Sequence, residues 1–267
     1  MWHLVVLLEE LCKRGINFRA LAQSIFAQQW GDECCTNNTH IINHGQQNVH
    51  GGVSNGSLIE SGGYQDVGSH NNFVGQANNT TINGGRQTIH DGGISTGTII
   101  DSGNQDVYTG GISNGTTIKG GNSHISGGTA NGTIIDGGGQ KVTTQGHVDG
   151  TTINKSGYQD ITQGSIATNT IINGGRQYVE QSTVGTTTIK NGGEQRVYES
   201  HALDTTIEGG TQSLNNKSTA KILRSILVVR KLLITPAPRM LLKFIPVACL
   251  MLVVVRQQML PSTMVQF

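Results

Sequence analysis

The chain repeats one short phrase ten times between Asn38 and Asn215, and this repetition restricts the folds open to it more than any other feature. Most copies combine Thr-Ile, a glycine pair, Gln, one further residue and Val. Nine steps from the first isoleucine to the last cover 165 residues, a mean period of about 18. A fixed period of this size is typical of a solenoid, in which each turn packs on its neighbours. The isoleucines are Ile42, Ile59, Ile82, Ile100, Ile118, Ile135, Ile153, Ile172, Ile189 and Ile207.

Two further columns accompany the isoleucines. The glutamines, with Ser123 in the fifth copy, are Gln47, Gln65, Gln87, Gln105, Gln140, Gln159, Gln177, Gln195 and Gln212. Two positions later stand the apolar residues Val49, Val67, Ile89, Val107, Ile125, Val142, Ile161, Val179, Val197 and Leu214. A looser column, five to eight residues before each later isoleucine, is Val53, Val74, Ile94, Ile112, Thr129, Val148, Ile166, Val184 and Ala202.

These apolar runs are short, β-branched and flanked by Gly, Asn or Ser, which predicts strands rather than helices. Three strands per turn predict an all-β, right-handed parallel β-helix of about ten 18-residue turns, with Ile100, Val107, Ile112 and their equivalents pointing inward. At ~4.8 Å per turn the rod would be roughly 45–50 Å long. Glycine pairs such as Gly84-Gly85 suit corners that need a positive φ. The glutamines are predicted to stack as a structural amide ladder.

One copy is irregular, because Ile59 and Ile82 are 23 residues apart. The excess lies at residues 69–73, which we expect to form a loop at one corner of the rod. In solenoids such loops can carry specificity, but a tolerated insertion is the simpler interpretation.

The two ends do not share the repeat, so we divide the chain into residues 1–35, 36–216 and 217–267. In the first segment the apolar run of residues 2–8 precedes Lys13 and Arg14, the reverse of a secretory signal. The segment is therefore predicted to be a degraded signal or a short capping helix.

The tail differs from the repeats in composition. Residues 221–267 contain no Gly, Asn, Asp or Glu, and the longest uncharged run has 12 residues, too short for a membrane helix. Shifting the codons by one base lets parts of this tail encode Thr-Ile and Gly-Gly repeats. We therefore interpret it as repeat DNA translated in the wrong frame, and expect residues 221–267 not to continue the rod.

Composition excludes several classes of function. The net charge is +1 and charged residues make up 13% of the chain, so there is no electrostatic footprint for nucleic acid. Cys12, Cys34, Cys35 and Cys249 lie outside the repeats and indicate neither a zinc site nor a disulfide framework. We expect no cofactor and no small-molecule substrate.

An enzyme or metal site would need convergent unlike residues. Asp66, Asp106 and Asp160 follow the glutamines of the second, fourth and seventh copies, too far apart for one catalytic site. Segment 61–66 has Gln where a calcium nonapeptide needs Gly and places its Asp one residue early. The histidines are scattered over different columns, although His44 and His50 could approach across a turn. We predict no catalytic, cofactor-binding or metal-binding residues.

The segment Asn-Gly-Thr-Ile-Ile-Asp-Gly-Gly-Gly-Gln-Lys-Val, residues 131–142, and its sibling copies resemble the passenger repeats of the AIDA-type self-associating autotransporter adhesins. The resemblance covers roughly residues 36–216. Trp2, Val5-Val6, Glu10-Leu11 and Lys13-Arg14-Gly15 look like the extended signal region of such proteins.

The resemblance implies a non-enzymatic, β-helical passenger at the bacterial surface or outer membrane. Such passengers mediate adhesion, autoaggregation and biofilm formation, and often carry heptose on Ser or Thr. Its implied partners are a second copy, a host surface or a glycan. Nothing after Ala220 shows the alternating ten-residue strands of the family's translocator barrel, which predicts a truncated passenger. The alternative is a polysaccharide-binding or polysaccharide-lyase β-helix.

Overall fold

A computed structural model describes residues 26–29, 35–70 and 73–225, and all regular structure among them is β-strand. It confirms the predicted parallel β-solenoid of about ten turns. Within those residues no helix is long and apolar enough to cross a membrane. Each turn contributes three strands, and each strand pairs in parallel with its equivalent in the next turn. We name the three resulting faces after their inward residues: the Ile face, the Gln face and the small-residue face.

The strands are short, as their β-branched, glycine-bounded segments predict. Those of the Gln face are Phe26–Gln29, Gln46–Val49, Tyr64–Val67, Asn122–Ser126, Gly139–Thr143, Tyr158–Ile161, Arg176–Glu180, Glu194–Tyr198 and Thr211–Asn215. Those of the Ile face are His40–Ile41, Leu58–Glu60, Thr117–Ile118, Ile134–Ile135, Thr152–Asn154, Ile171–Asn173 and Thr188–Lys190.

The small-residue face has the strands Cys35–Asn37, Gly52–Asn55, Phe73–Asn78, Ile94–Thr96, Ile112–Asn114, Thr129–Asn131, His147–Asp149, Ile166–Thr168 and Thr183–Gly185. Longer strands bend from one face to the next: Thr81–Ile89, Ile99–Tyr108, His201–Glu208 and Thr219–Ser225. The remaining strand, Ser69–His70, belongs to a hairpin.

Equivalent residues of successive turns lie directly above one another. Gln87 pairs with Gln105 and Ile89 with Val107, and the same register recurs along the rod. The isoleucine column and the valine column are both buried, and each forms its own core cluster. Burying one such side chain stabilises the fold by about 1.5–3 kcal/mol, so the repeated columns supply most of the driving force.

The glycine pairs serve two different purposes at the corners. Gly84 has a φ of 95°, a backbone conformation that residues with a Cβ rarely adopt. Gly85, which follows it, lies so close to the previous turn that a Cβ there would be 2.4 Å from Cγ2 of Ile59. The first glycine therefore permits the turn and the second permits close stacking.

Two column assignments were wrong. In the first copy Ile41, not Ile42, pairs with Ile59 and is buried. The reason is that a buried hydroxyl stands two residues before each inward isoleucine, and Thr39 occupies that position only for Ile41.

The looser apolar column was also wrong for most of its members. Ile112 is half-exposed, whereas its neighbour Ser113 is buried. Inside the rod the long glutamine side chains occupy the space beside this face, so small residues point inward and large ones outward. Val148, Val184 and Ala202 do point inward, as predicted, while Val53, Val74, Ile94, Thr129 and Ile166 do not.

The irregular copy forms a hairpin. Ser69 pairs antiparallel with Val74, and His70 with Phe73, so the described residues place a hairpin at the corner where the spacing predicts a loop. At the other end, Thr219–Ser225 still pairs with His201–Glu208, although with two register shifts. The expectation that the rod ends before Lys221 was therefore wrong for its first five residues. The rest of the predicted tail, and the predicted signal or cap in residues 1–25 and 30–34, lie outside the described residues.

Candidate interaction surface

A buried ladder of glutamine amides runs along the Gln face. Gln65 Nε2 donates to Gln47 Oε1 at 2.7 Å, and Gln105 Nε2 donates to Gln87 Oε1 at 2.9 Å. The ladder is interrupted once, where the hydroxyl of Ser123 lies 3.4 Å from Gln105 Oε1. It resumes with Gln159, Gln177, Gln195 and Gln212, each bonded to the glutamine before it.

Hydroxyls of the other two faces complete the ladder. Ser95 Oγ and Thr98 Oγ1 both lie within 3.3 Å of Gln87 Oε1 and 2.7 Å from each other. These polar groups are buried, and a buried amide needs such partners. The glutamines thus have the structural role that the sequence predicts, and they hold the outward residues of the same strands in a fixed order.

The outward surface of the Gln face differs from the rest of the rod. Because side chains alternate along a strand, residues at odd offsets from each glutamine point outward. All five tyrosines of the chain stand at such offsets, together with many of its charged residues. The tyrosines are Tyr64, Tyr108, Tyr158, Tyr178 and Tyr198. Sequence reasoning missed this face, although the odd offset was a signal that could have found it.

Near the amino-terminal end this face carries a cluster of histidine–carboxylate contacts. Each carboxylate oxygen of Asp66 contacts one histidine. Nε2 of His50 lies 2.9 Å from one oxygen, and Nε2 of His90 lies 2.9 Å from the other. The ring of His90 stacks on Tyr108, with centroids 5.4 Å apart. Burial raises the pKa of the Tyr64 hydroxyl beside this cluster.

One turn further along the rod, Arg86 and Asp106 form a close ion pair. Their Nε and Oδ2 atoms are 2.6 Å apart, and this hydrogen bond raises the pKa of Arg86. His124 Nδ1 lies 3.8 Å from the other oxygen of Asp106. The carboxylate of Asp106 is nearly buried under these two partners. It therefore gives both side chains a fixed group to contact.

Near the carboxyl-terminal end the face forms an open groove of about 260 Å³. Tyr158 and Tyr178 are 43% and 36% exposed on its walls. Tyr158 runs along the rod over Gly139, and its hydroxyl donates to Asn122 at 3.1 Å. The remaining lining residues are Asp160, Arg176, Gln177, Glu194 and Arg196.

Charges in this groove are only partly paired. Arg196 Nε lies 2.7 Å from Glu194, while Arg176 Nε is 3.9 Å from the other oxygen of that carboxylate. Asp160 is half-buried, and desolvation raises the pKa of its carboxyl, an effect that nearby Lys141 partly offsets. The groove therefore offers donors, acceptors and aromatic surface together.

The residues considered for catalysis or metal binding are not brought together. Asp66, Asp106 and Asp160 all point outward in one column of the Gln face, but on separate turns. His50 bonds to Asp66 rather than forming a pair with His44. Among the described residues no group of three or more His, Cys, Asp or Glu side chains is placed to hold a metal ion.

Outward asparagines of the small-residue face form hydrogen bonds with one another along the rod. Asn55 donates to Asn37 and Asn78 donates to Asn55, both at 3.1 Å, and Asn131 donates to Asn114 at 2.9 Å. Amides that bond to each other along the rod have fewer groups left for a partner. This observation favours the Gln face as the candidate interaction surface.

Comparison with known proteins finds two similar proteins of Escherichia coli, one of them a probable autotransporter. A segment of 62 residues, 23% of this chain, is 97% identical to the probable autotransporter YpjA of Escherichia coli strain K12. The chain spans only 4% of the length of that protein. A segment of 39 residues is 90% identical to the putative protein PinH of the same strain and covers 83% of it.

The fold is also similar to a solved structure. The crystal structure of a TibA fragment, hyper-glycosylated by TibC, superposes with a TM-score of 0.58 at 32% sequence identity. The superposition covers 77% of this chain and 89% of the TibA fragment. No protein-family model matches the chain.

Proposed function

The chain belongs to the AIDA-type autotransporter adhesin passengers, and from this premise we propose that it acts at the bacterial cell surface as a non-enzymatic adhesin that mediates autoaggregation. The observation that carries the proposal is the Gln face, where tyrosines and charged residues recur at successive turns of a regularly paired rod. Many weak contacts repeated along such a face add up when two rods align.

Display of the full chain on cells that do not clump tests this proposal. Clumping above the level of cells that carry the display anchor alone is the expected result. A matched variant in which Tyr158, Tyr178 and Tyr198 are replaced by Ser should clump less at equal surface density, because the aromatic surface is lost. If cells that display the folded wild-type rod stay dispersed, the autoaggregation proposal is wrong.

A second candidate function is polysaccharide binding, which the groove favours. Tyr158 and Tyr178 present exposed rings beside Asp160, Arg176 and Glu194, a combination of apolar surface and hydrogen-bonding groups that ligand sites use. Isothermal titration with neutral and acidic oligosaccharides would measure this binding. Binding that disappears in Tyr158→Ala, without release of shortened sugars, would support recognition; release of shortened sugars would favour a lyase.

We also propose that outward Ser and Thr residues carry glycans. The structurally similar TibA fragment is hyper-glycosylated, and outward threonines recur on the Ile face of this chain. Intact-mass analysis of protein made with and without a co-expressed glycosyltransferase would detect the modification. Equal masses in the two preparations would count against it. The threonines are Thr81, Thr117, Thr152, Thr188 and Thr206.

A further inference from the structure

We propose that the groove around Asp160 binds one ring of a neutral sugar, and that the Asp160 carboxylate accepts hydrogen bonds from adjacent hydroxyls of that ring. This inference rests on the second candidate function, polysaccharide binding, and specifies the class of sugar and the residue that recognises it. It follows from a difference between Asp160 and the other outward aspartates of its column.

Asp66, Asp106 and Asp160 occupy equivalent positions on the Gln face but differ in their partners. Each oxygen of Asp66 contacts a histidine, and Asp106 contacts an arginine and a histidine. Asp160 is half-buried, yet it makes no hydrogen bond or ion pair within the described part of the chain. Removing water from a carboxylate without giving it a partner is costly, so a ligand that donates hydrogen bonds to Asp160 would compensate that cost.

The charges around Asp160 favour a ligand without net charge. Lys141 stands beside it on the preceding turn, exposed and without an ion pair among the described residues. Arg176 and Arg196 line the groove on the next two turns, so a cation would meet like charges. An anion would meet Asp160 and Glu194. The groove is lined by two carboxylates and two guanidinium groups, and its formal charge is zero.

Hydrogen-bond donors with incomplete pairing lie close to this acceptor. Nε of Arg176 is 3.9 Å from the nearest Glu194 oxygen, too far for a hydrogen bond. The ammonium group of Lys141 offers donors only, and the Asp160 carboxylate offers acceptors only. A hydroxyl both donates and accepts, so two adjacent hydroxyls can bond to the carboxylate and to a neighbouring cation at once. Sugars carry such hydroxyl pairs without carrying charge.

Two exposed tyrosines supply the apolar surface that a sugar ring needs. Tyr158 stands two residues before Asp160 on the same strand, and Tyr178 lies beside Asp160 on the next turn. Outward residues are about 7 Å apart along a strand and about 4.8 Å apart between turns, so one ring can contact both the aromatic surface and the carboxylate. The C–H face of the sugar packs on a tyrosine while its hydroxyls point to the polar groups.

The size of the groove limits the length of sugar it can hold. Its volume of about 260 Å³ is below the ~300–1,000 Å³ of pockets that enclose drug-sized ligands. One ring therefore occupies the groove, and the rest of a longer glycan extends into solvent. Binding at a single open site is weak, but many copies of the rod on one cell would add their contacts to a polymeric glycan.

Isothermal titration of the full chain at pH 7 tests the inference. The probes are the neutral methyl glycosides of glucose, galactose and mannose, with methyl glucuronide as the acidic counterpart of the glucoside. A neutral glycoside should bind more tightly than the glucuronide, because the added carboxylate meets those of the groove. Asp160→Asn should weaken neutral binding by about tenfold or more, since a hydrogen bond to a charged acceptor is lost.

Asp106→Asn is the matched control, because it makes the same change in the same column, three turns away, where the carboxylate already has partners in the chain. It should leave the affinity for neutral sugar unchanged. Urea unfolding of each variant shows that the comparison involves folded protein.

The other outcomes separate this inference from the broader proposal. Tighter binding of the glucuronide would overturn the choice of a neutral sugar, and binding of spermidine that requires Asp160 would show that the groove takes a cation. Sugar binding that Tyr158→Ala abolishes but Asp160→Asn leaves intact would overturn recognition by Asp160 while polysaccharide binding stands. A folded chain that binds none of these sugars and no longer oligosaccharide would contradict both.

Discussion

Tyr158 occupies the space that a side chain at Gly139 would need: a Cβ on Gly139 would lie 2.1 Å from Cζ of the tyrosine ring. The ring belongs to the next turn and extends back over the glycine. The position of the Tyr158 ring in the groove thus depends on the absence of a side chain at Gly139, one turn away.

Substitution of Gly139 by Ala should expel the Tyr158 ring without unfolding the rod. The ring is the mobile end of an exposed side chain, so we expect the free energy of unfolding to change by less than about 1 kcal/mol. Access of a soluble quencher to tyrosine fluorescence should increase. The control is the same glycine change in a Tyr158→Ala background, where quenching should not respond.

Ser123→Gln should stabilise the rod, because it fills the one gap in the amide ladder. A glutamine there can donate to Gln105 and accept from Gln140, and we expect a gain of about 0.5–1.5 kcal/mol in the free energy of unfolding. Urea unfolding measures the change. Ser123→Leu is the control: it fills similar space but leaves the amides unpaired, so an equal gain would contradict the role of the hydrogen bonds.

Ile118→Asp should be strongly destabilising. Ile118 is fully buried in the isoleucine column, and an unpaired carboxylate there costs several kcal/mol. We expect a loss of more than about 4 kcal/mol, visible as a shift in the urea midpoint or as failure to fold. The adjacent outward change Thr117→Asp should cost far less. Similar losses for both would show that side-chain direction does not matter at this strand.

Asp160→Asn should change how stability depends on pH. Burial raises the pKa of Asp160 above its ordinary value of 3.8 in the folded protein. The folded state therefore binds more protons in the window just above pH 3.8, and the contribution of Asp160 to stability falls as pH rises through it. Replacement by Asn removes that loss. Urea midpoints should favour the variant at pH 7 more than at pH 3; an unchanged difference would contradict the prediction.

Much of the architecture was accessible from sequence because neighbouring turns repeat the same residues. The columns of Ile100 and Val107 specify inward positions, and the constant two-residue spacing from Gln to Val establishes alternation on that strand. The spacing from isoleucine to glutamine varies between five and six residues, so it did not distinguish Ile41 from Ile42. The small-residue face was misassigned because hydrophobicity alone does not show how much interior space the glutamines fill.

The sequence by itself determined the solenoid, its period and its buried apolar columns, since a repeated unit can bury such columns only by stacking. The tertiary structure alone decided which outward side chains meet. Tyr158 reaches Asn122 across 36 residues, and Asp66 bridges His50 and His90 on different turns. Such contacts depend on the stagger between turns and on the direction in which each side chain leaves the sheet, and neither is encoded in the local pattern of one repeat.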